Sequence, residues 1–157
     1  MQLLIALGAN IGSRAAALRA AIAALTAEVG LLVKCSAFYE TEPEGFQSSH
    51  AFLNAVAHFE TTHSAPRILQ ITQAIERRMG RTTKSQDGIY HDRPIDIDIL
   101  ALGDTICHTQ DLTLPHPHIA ERRFVLEPLT EILPTWRHPL THATATEMLK
   151  RYEQNTN

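Results

Sequence analysis

Asp96 and Asp98 stand two residues apart in an apolar segment, Ile95-Asp96-Ile97-Asp98-Ile99-Leu100-Ala101-Leu102. Read as a strand, the segment places Ile95, Ile97, Ile99 and Ala101 on one face and Asp96, Asp98, Leu100 and Leu102 on the other. Aspartate is depleted in strands, and the aspartate face turns apolar at Leu100, so it is not simply solvated surface. Two like charges on one face repel unless a cation sits between or above them. Hard oxygen ligands with few other donors suit Mg²⁺, which completes its shell with water and phosphate oxygens. Cations flank the pair in sequence: Arg81, Lys84 and Arg93 precede it, and Arg122 and Arg123 follow. Metal-binding carboxylates beside fixed cations are the equipment of phosphoryl-type transfer, in which the protein positions phosphates and neutralises their charge.

Other motifs carry less. Gly8-Ala9-Asn10-Ile11-Gly12 invites a phosphate-loop reading, but it lacks the third glycine of G-x-G-x-x-G and the Gly-Lys-Ser/Thr of a P-loop. It reads as a tight structural turn. His116-Pro117-His118, together with His91, raises zinc as an alternative. No cysteine lies nearby in sequence, so His116 is read as a phosphate donor and His118 as structural. Cys35 and Cys107 have no metal-like spacing, and no G-x-S-x-G nucleophile occurs. Phe52 and Phe124, taken alone, read as core residues.

The elements that must position these groups follow from periodicity. A buried strand is expected over 3–7, then a helix over 14–29 capped by Ser13 and ended by Gly30. Strands are expected over 31–39 and 52–61. In the second, Leu53, Ala55, Ala57 and Phe59 alternate with Phe52, Asn54, Val56 and His58. Ser64 and Pro66 open a second helix, closed by Gly80. A long loop over 81–94 leads into the strand over 95–102. The β-α-β-β-α-β order predicts an α+β, ferredoxin-like core, an antiparallel sheet with these two helices on one face and the other partly open, and helices on one or both faces once the C-terminal extension is added. The C-terminal extension should add short strands, a helix over 122–133, and a last helix opened by the capping box Thr144-Ala145-Thr146-Glu147.

With 157 residues, the chain is expected to form a single domain over 1–157. Its 44% apolar and 20% charged content exclude a disordered or fibrous chain. A net charge of −3 argues against holding nucleic acid by bulk charge. No apolar run reaches membrane-spanning length and the N-terminus lacks a basic start, so a cytoplasmic protein with free thiols is expected.

Several segments together carry a family likeness: LGANIGS, SAFYETEP, FLNAV, IERRMGR, DRPIDIDIL and LPHPHIAERRFVLEPLTEILP. In that order they resemble the 6-hydroxymethyl-7,8-dihydropterin pyrophosphokinases of folate biosynthesis. The resemblance implies transfer of the β,γ-pyrophosphoryl group of ATP to the pterin hydroxymethyl oxygen, with release of AMP. It further implies two Mg²⁺ on Asp96 and Asp98, with Arg81 and Arg93 clamping the phosphates. Gln73, Glu76, Lys84, Thr113, His116 and Arg122 would contact the nucleotide. Phe52 and Phe124 would sandwich the pterin, and Asn54 would meet its polar edge, with the backbone near Thr41 and Pro43.

That edge suits an asparagine, which both donates and accepts, and the ring gains from stacking on aromatic faces. Three departures stand out. The segment RTTKSQDGIYHDR is longer than the form familiar in the family, with Tyr90 in place of a tryptophan. Asp111 stands where some members carry an arginine, and no residue is nominated as general base, a role that a metal-lowered pKa or a water can fill. The long loop is expected to close over ATP. ATP and the pterin are the expected partners, with no nucleic acid or membrane, acting on a monomer. The competing classes are a ferredoxin-like ligand- or RNA-binding module without catalysis, and a zinc hydrolase built on His91, His116 and His118.

Overall fold

The computed structural model describes residues 1–42, 51–80 and 94–156. β1 (Gln2–Ala9) is followed by α1 (Arg14–Glu28), β2 (Leu31–Cys35), β3 (Tyr39–Thr41), β4 (Phe52–Glu60), α2 (Ala65–Arg78) and β5 (Asp96–Leu102). A short hairpin of β6 (Cys107–His108) and β7 (Thr113–Leu114) comes next, then a 3₁₀ turn over Ile119–Glu121, α3 (Arg123–Ile132) and α4 (Ala145–Asn155). The main sheet has the order β2-β4-β1-β5, antiparallel throughout, with β3 also paired to β4. This is the split βαβ order expected from the sequence.

Side-chain alternation divides the core between the two faces. Leu3, Ile5 and Leu7 of β1 pack with Ala55, Ala57 and Phe59 of β4 and Ile97 and Ile99 of β5 beneath α1 and α2. Leu4, Val56, Leu100 and Ala101 face the other way and are covered by α3 and α4 through Leu126, Leu129, Ile132 and Met148. The second face is therefore closed at this end by the C-terminal helices, more fully than the βαββαβ pattern alone suggested. At the other end of the same face, Asp96 and Asp98 stay half-exposed.

The expected parity fails past Leu100. β1 pairs Leu4 with Ala101 but Ile5 with Ile99, so Leu100 is an extra, bulged residue. A bulge inverts the alternation beyond it. Ala101 consequently joins the α3/α4 side and Leu102 the α1/α2 side, the reverse of the simple reading. The single strand expected over 31–39 is also broken: Ser36 donates its backbone N–H to Val56 O and its hydroxyl accepts from Val56 N, interrupting the ladder before β3.

Caps met expectation unevenly. Ser64 accepts from Arg67 N, and the Thr144/Glu147 capping box is complete, whereas the Ser13 side chain makes no capping bond. Gly30 owes its place to crowding, since a Cβ there would lie 2.0 Å from Glu60 O.

The turn before α4 depends on a neutral histidine. His138 Nδ1 accepts from Leu140 N at 3.2 Å and Thr141 N at 3.3 Å, and its ring meets Trp136 edge-on. Burial, assisted by the nearby His142, pushes its pKa below the ordinary histidine value. The unfolded chain takes up this proton near pH ~6.5, the folded chain only at lower pH. Stability is thus full above that value and is lost as pH falls through the folded value. Urea midpoints measured from pH 7.5 downward should therefore fall, and less steeply for His138→Gln; parallel slopes would refute the assignment.

Candidate active site

The sheet itself assembles the polar groups. In β1, Gly8 is paired on one side with Asn54 of β4 and on the other with Asp96 of β5. One step along, Ala6 lies between Val56 and Asp98. Residues directly across neighbouring strands point to the same face. Asn54, Gly8 and Asp96 thus form one row across three strands, about 10 Å from end to end at a strand spacing of ~4.8 Å.

Gly8 is the residue that sequence reasoning placed wrongly. It lies inside β1 and forms no turn; Gly12, with φ +67, is the one in a turn conformation. A Cβ on Gly8 would sit 3.0 Å from Asn54 Oδ1 and 3.6 Å from Phe52 Cδ1. Asn54 is itself 5% exposed and donates from Nδ2 to Thr41 Oγ1 at 2.6 Å, which fixes the orientation of its amide. The missing side chain leaves a bare floor between the Asn54 amide and the aspartates. A glycine inside a strand was the available signal, because it often marks close approach of a ligand.

Behind the aspartates lies Glu76 of α2, 3% exposed, whose Oε2 accepts from Ile97 N at 2.8 Å. Ile97 separates Asp96 from Asp98, and β5 is the edge strand of the sheet. The carboxylate therefore satisfies an N–H on the side of β5 that faces no other described strand, and it anchors the backbone between the two aspartates. The pair offers only oxygen donors and is half-exposed, which leaves room for water and phosphate oxygens and fits Mg²⁺. Among the described residues no three His, Cys, Asp or Glu side chains come together as a metal site.

The remaining sequence-derived candidates fall on two flanks. Gln73 lines a cavity of about 380 Å³ between α2 and the β6–β7 segment, together with Leu69, Gln70, Thr109, Asp111 and Leu112. Thr113 follows directly, in β7. His116 donates its backbone N–H to Leu100 O, and its Nδ1 accepts from His118 N at 3.1 Å, so in the neutral ring Nε2 carries the proton. His118 Nδ1 pairs with Glu121 Oε2 at 2.9 Å. At the start of α3, the Arg122 guanidinium lies 5.5 Å from the centre of the half-buried Phe124 ring. Phe124 packs at the margin of the same cluster that holds Val56, and thus on the sheet face of Asn54 and Phe52. Pro43, Arg81, Lys84, Tyr90, His91 and Arg93 lie outside the described residues, as does the long loop up to Arg93.

Comparison with known proteins bears on this arrangement. A family model described as 7,8-dihydro-6-hydroxymethylpterin-pyrophosphokinase (HPPK) matches residues 4–134. A Porphyromonas gingivalis protein named 2-amino-4-hydroxy-6-hydroxymethyldihydropteridine pyrophosphokinase is 51% identical over 137 residues, covering 86% of this chain and 92% of its own length. A Bacillus subtilis protein of the same name is 41% identical over 129 residues, covering 82% and 75% respectively. Among solved structures, Plasmodium falciparum HPPK-DHPS, wild type with SDX-DHP, superimposes with a TM-score of 0.78 at 16% identity. That match covers 99% of this chain and only 46% of the Plasmodium chain, and it shows a shared fold.

Gly8→Ala tests the bare floor. The strand should tolerate it to within about 1 kcal/mol in urea unfolding, because alanine also removes the entropic penalty of a mid-strand glycine. Affinity for the pterin expected from the sequence should fall about tenfold in a fluorescence titration, the equivalent of one disturbed hydrogen bond. Unchanged affinity would mean that nothing passes over Gly8.

Proposed function

The chain belongs to the 7,8-dihydro-6-hydroxymethylpterin-pyrophosphokinase family, and we propose on that premise that it moves the β,γ-pyrophosphoryl group of ATP onto the hydroxymethyl oxygen of 6-hydroxymethyl-7,8-dihydropterin. The products are AMP and the pterin diphosphate used in folate biosynthesis. The observation that carries the residue assignment is the row Asn54–Gly8–Asp96. It joins a group suited to the edge of a pterin to a pair suited to a phosphate-bound cation, across a strand with no side chain in the way.

In this reading the ring edge meets the Asn54 amide, whose orientation is held by Thr41, with Pro43 following. Phe52 and Phe124 supply the aromatic walls and Tyr90 a third contact. The hydroxymethyl arm lies over Gly8. The nucleoside end of ATP takes the cavity of Gln73 and Asp111, beside Thr113. Its phosphates run to Asp96 and Asp98, with hydrogen bonds from His116 Nε2–H and Arg122. Glu76, a nucleotide contact by the resemblance, is buried and tied to Ile97 N, and is read instead as holding the backbone of the aspartates from behind. Arg81, Lys84 and Arg93, assigned from their motif, add the positive charge that a spread-out phosphoryl transition state requires.

The hydroxyl oxygen attacks the β-phosphorus, the bond from that phosphorus to the α,β-bridging oxygen breaks, and AMP departs with the electron pair. The hydroxyl proton leaves to solvent. Two Mg²⁺, held by Asp96 and Asp98, would neutralise the phosphates and lower the pKa of the attacking hydroxyl. The described residues contain no helix long and apolar enough to cross a membrane. A monomer working in the cytoplasm, without nucleic acid, completes the proposal, since groups for both substrates come from a single chain.

Chromatography of the nucleotides after incubation with Mg²⁺, ATP and the reduced pterin should show AMP and pterin diphosphate formed one for one, and only with pterin present. Formation of ADP would overturn transfer of the two-phosphate unit. Asp96→Asn and Asp98→Asn should each lower kcat by about 10²–10³-fold with an unchanged melting curve, as expected when groups stabilising transition-state charge are lost. Near-normal turnover in both would remove the metal assignment. Phe124→Ala should raise KM for the pterin well above any change for ATP; equal losses would return Phe124 to the core.

A further inference from the structure

β3 is three residues long, lies at the sheet edge and pairs Tyr39 with Asn54, Glu40 with Leu53 and Thr41 with Phe52. It therefore runs alongside the pterin-edge residues, and its own anchorage matters. The break after β2 leaves Ala37 without a ladder partner. Its N–H is donated instead to both carboxylate oxygens of Glu131, at 3.1 Å each. The Tyr39 hydroxyl donates to Oε1 of the same residue at 2.6 Å. Bonds to an ionised acceptor are the stronger kind. The hydrogen bond to Glu131 is also the main reason the Tyr39 phenol is pushed up to about 12. The Glu131 charge adds to burial in raising the Cys35 thiol at the end of β2.

Glu131 belongs to α3, seven residues after Phe124. Seven residues are two helical turns, so both lie on one stripe of the helix. One side chain thus ties the edge strand carrying Thr41 to the helix carrying Phe124. A second tie, from Arg14 to Glu40 at 3.3 Å, runs to α1, which bears none of the proposed pterin contacts.

We propose that Glu131 is a positioning residue for the pterin: by gripping Ala37 and Tyr39 it sets the gap between the Thr41–Asn54 edge of the sheet and Phe124 of α3. A flat ring held between a sheet edge and a helix gains most when that gap matches its thickness, and a ring-sized slot that can breathe loses contact on one wall. Glu131 touches neither substrate. The inference rests on the pterin assignment made above.

The test is a fluorescence titration of the pterin in the presence of Mg²⁺ and a non-hydrolysable ATP analogue, beside steady-state KM values for both substrates. Glu131→Ala should weaken pterin binding about five- to twentyfold, a fraction of the worth of the charge-assisted hydrogen bonds it removes, with KM for ATP unchanged. Glu131→Gln keeps an acceptor for the Tyr39 hydroxyl and should restore much of the loss, with Tyr39→Phe intermediate. Glu40→Ala, which removes the tie from this strand's side chain to Arg14 of α1, should leave the pterin affinity unchanged. Should Glu131→Ala fail to fold, Tyr39→Phe decides, and wild-type pterin affinity in that variant overturns the proposal. Equal weakening of pterin and ATP by Glu131→Ala overturns it as well. Asn54→Ala and Phe124→Ala, run alongside, separate two kinds of failure. If they weaken the pterin and Glu131→Ala does not, only the positioning role falls; if they leave it intact, the slot assignment falls and takes this proposal with it.

Discussion

β1 is hydrogen-bonded along both sides, to β4 from Gln2↔Glu60 to Ala9↔Leu53 and to β5 from Leu3↔Leu102 to Gly8↔Asp96. Because the side-chain period of a strand is two, each ladder has one register that buries Leu3, Ile5 and Leu7 on the α1/α2 side. Slipping either by one residue would turn an apolar row to water. The same two registers bring Asn54 and Asp96 to opposite sides of Gly8. Packing energy thus specifies the proposed site: the geometry that seats the core also sets the distance between the amide and the carboxylates.

The bulge at Leu100 belongs to that arrangement. Without it, Ala101 would face α1 and α2, while Leu102 would stand on the side that α3 and α4 cover. With it, the first half of β5 can present aspartates and the second half can bury apolar residues against both layers. The outer edge of β5 is handled by Glu76, a buried carboxylate placed on a strand N–H. Burying such a group is costly unless it is hydrogen-bonded, and here the bond also stiffens the backbone that carries Asp96 and Asp98.

The C-terminal third makes the difference between a sheet with one bare face and one that can offer the proposed pterin slot. α3 and α4 cover Leu4, Val56, Leu100 and Ala101, and α3 brings Phe124 and Arg122 to the end left open. The ties of α3 to β3 through Glu131 and of the 138–142 turn to itself through His138 are local polar contacts laid over that apolar base. They orient elements that the hydrophobic contacts alone would leave free to slide.

Much of this was legible in the residues. The strand-helix order, the Ser64 cap, the Thr144/Glu147 box and the alternation of β4 are local properties, set by periodicity and by hydrogen bonds between near neighbours. Asp96 and Asp98 stood out for a chemical reason, since nothing in strand propensity accounts for two carboxylates in an apolar run. Gly8 was misread because a turn and a bare strand position are both served by glycine, and only the partners across the ladder tell them apart. The side exchange of Ala101 and Leu102, the break before β3, the edge contact of Glu76 and the grip of Glu131 each join residues far apart in the chain or add a residue to one strand of a pair. Spacing singled out Asp96 and Asp98, the order of the motifs nominated the other groups proposed to act with them, and periodicity placed the elements on which they ride. Register, bulge and the docking of α3 decided how far apart those groups stand, because such distances are set by packing between segments that share no sequence neighbourhood.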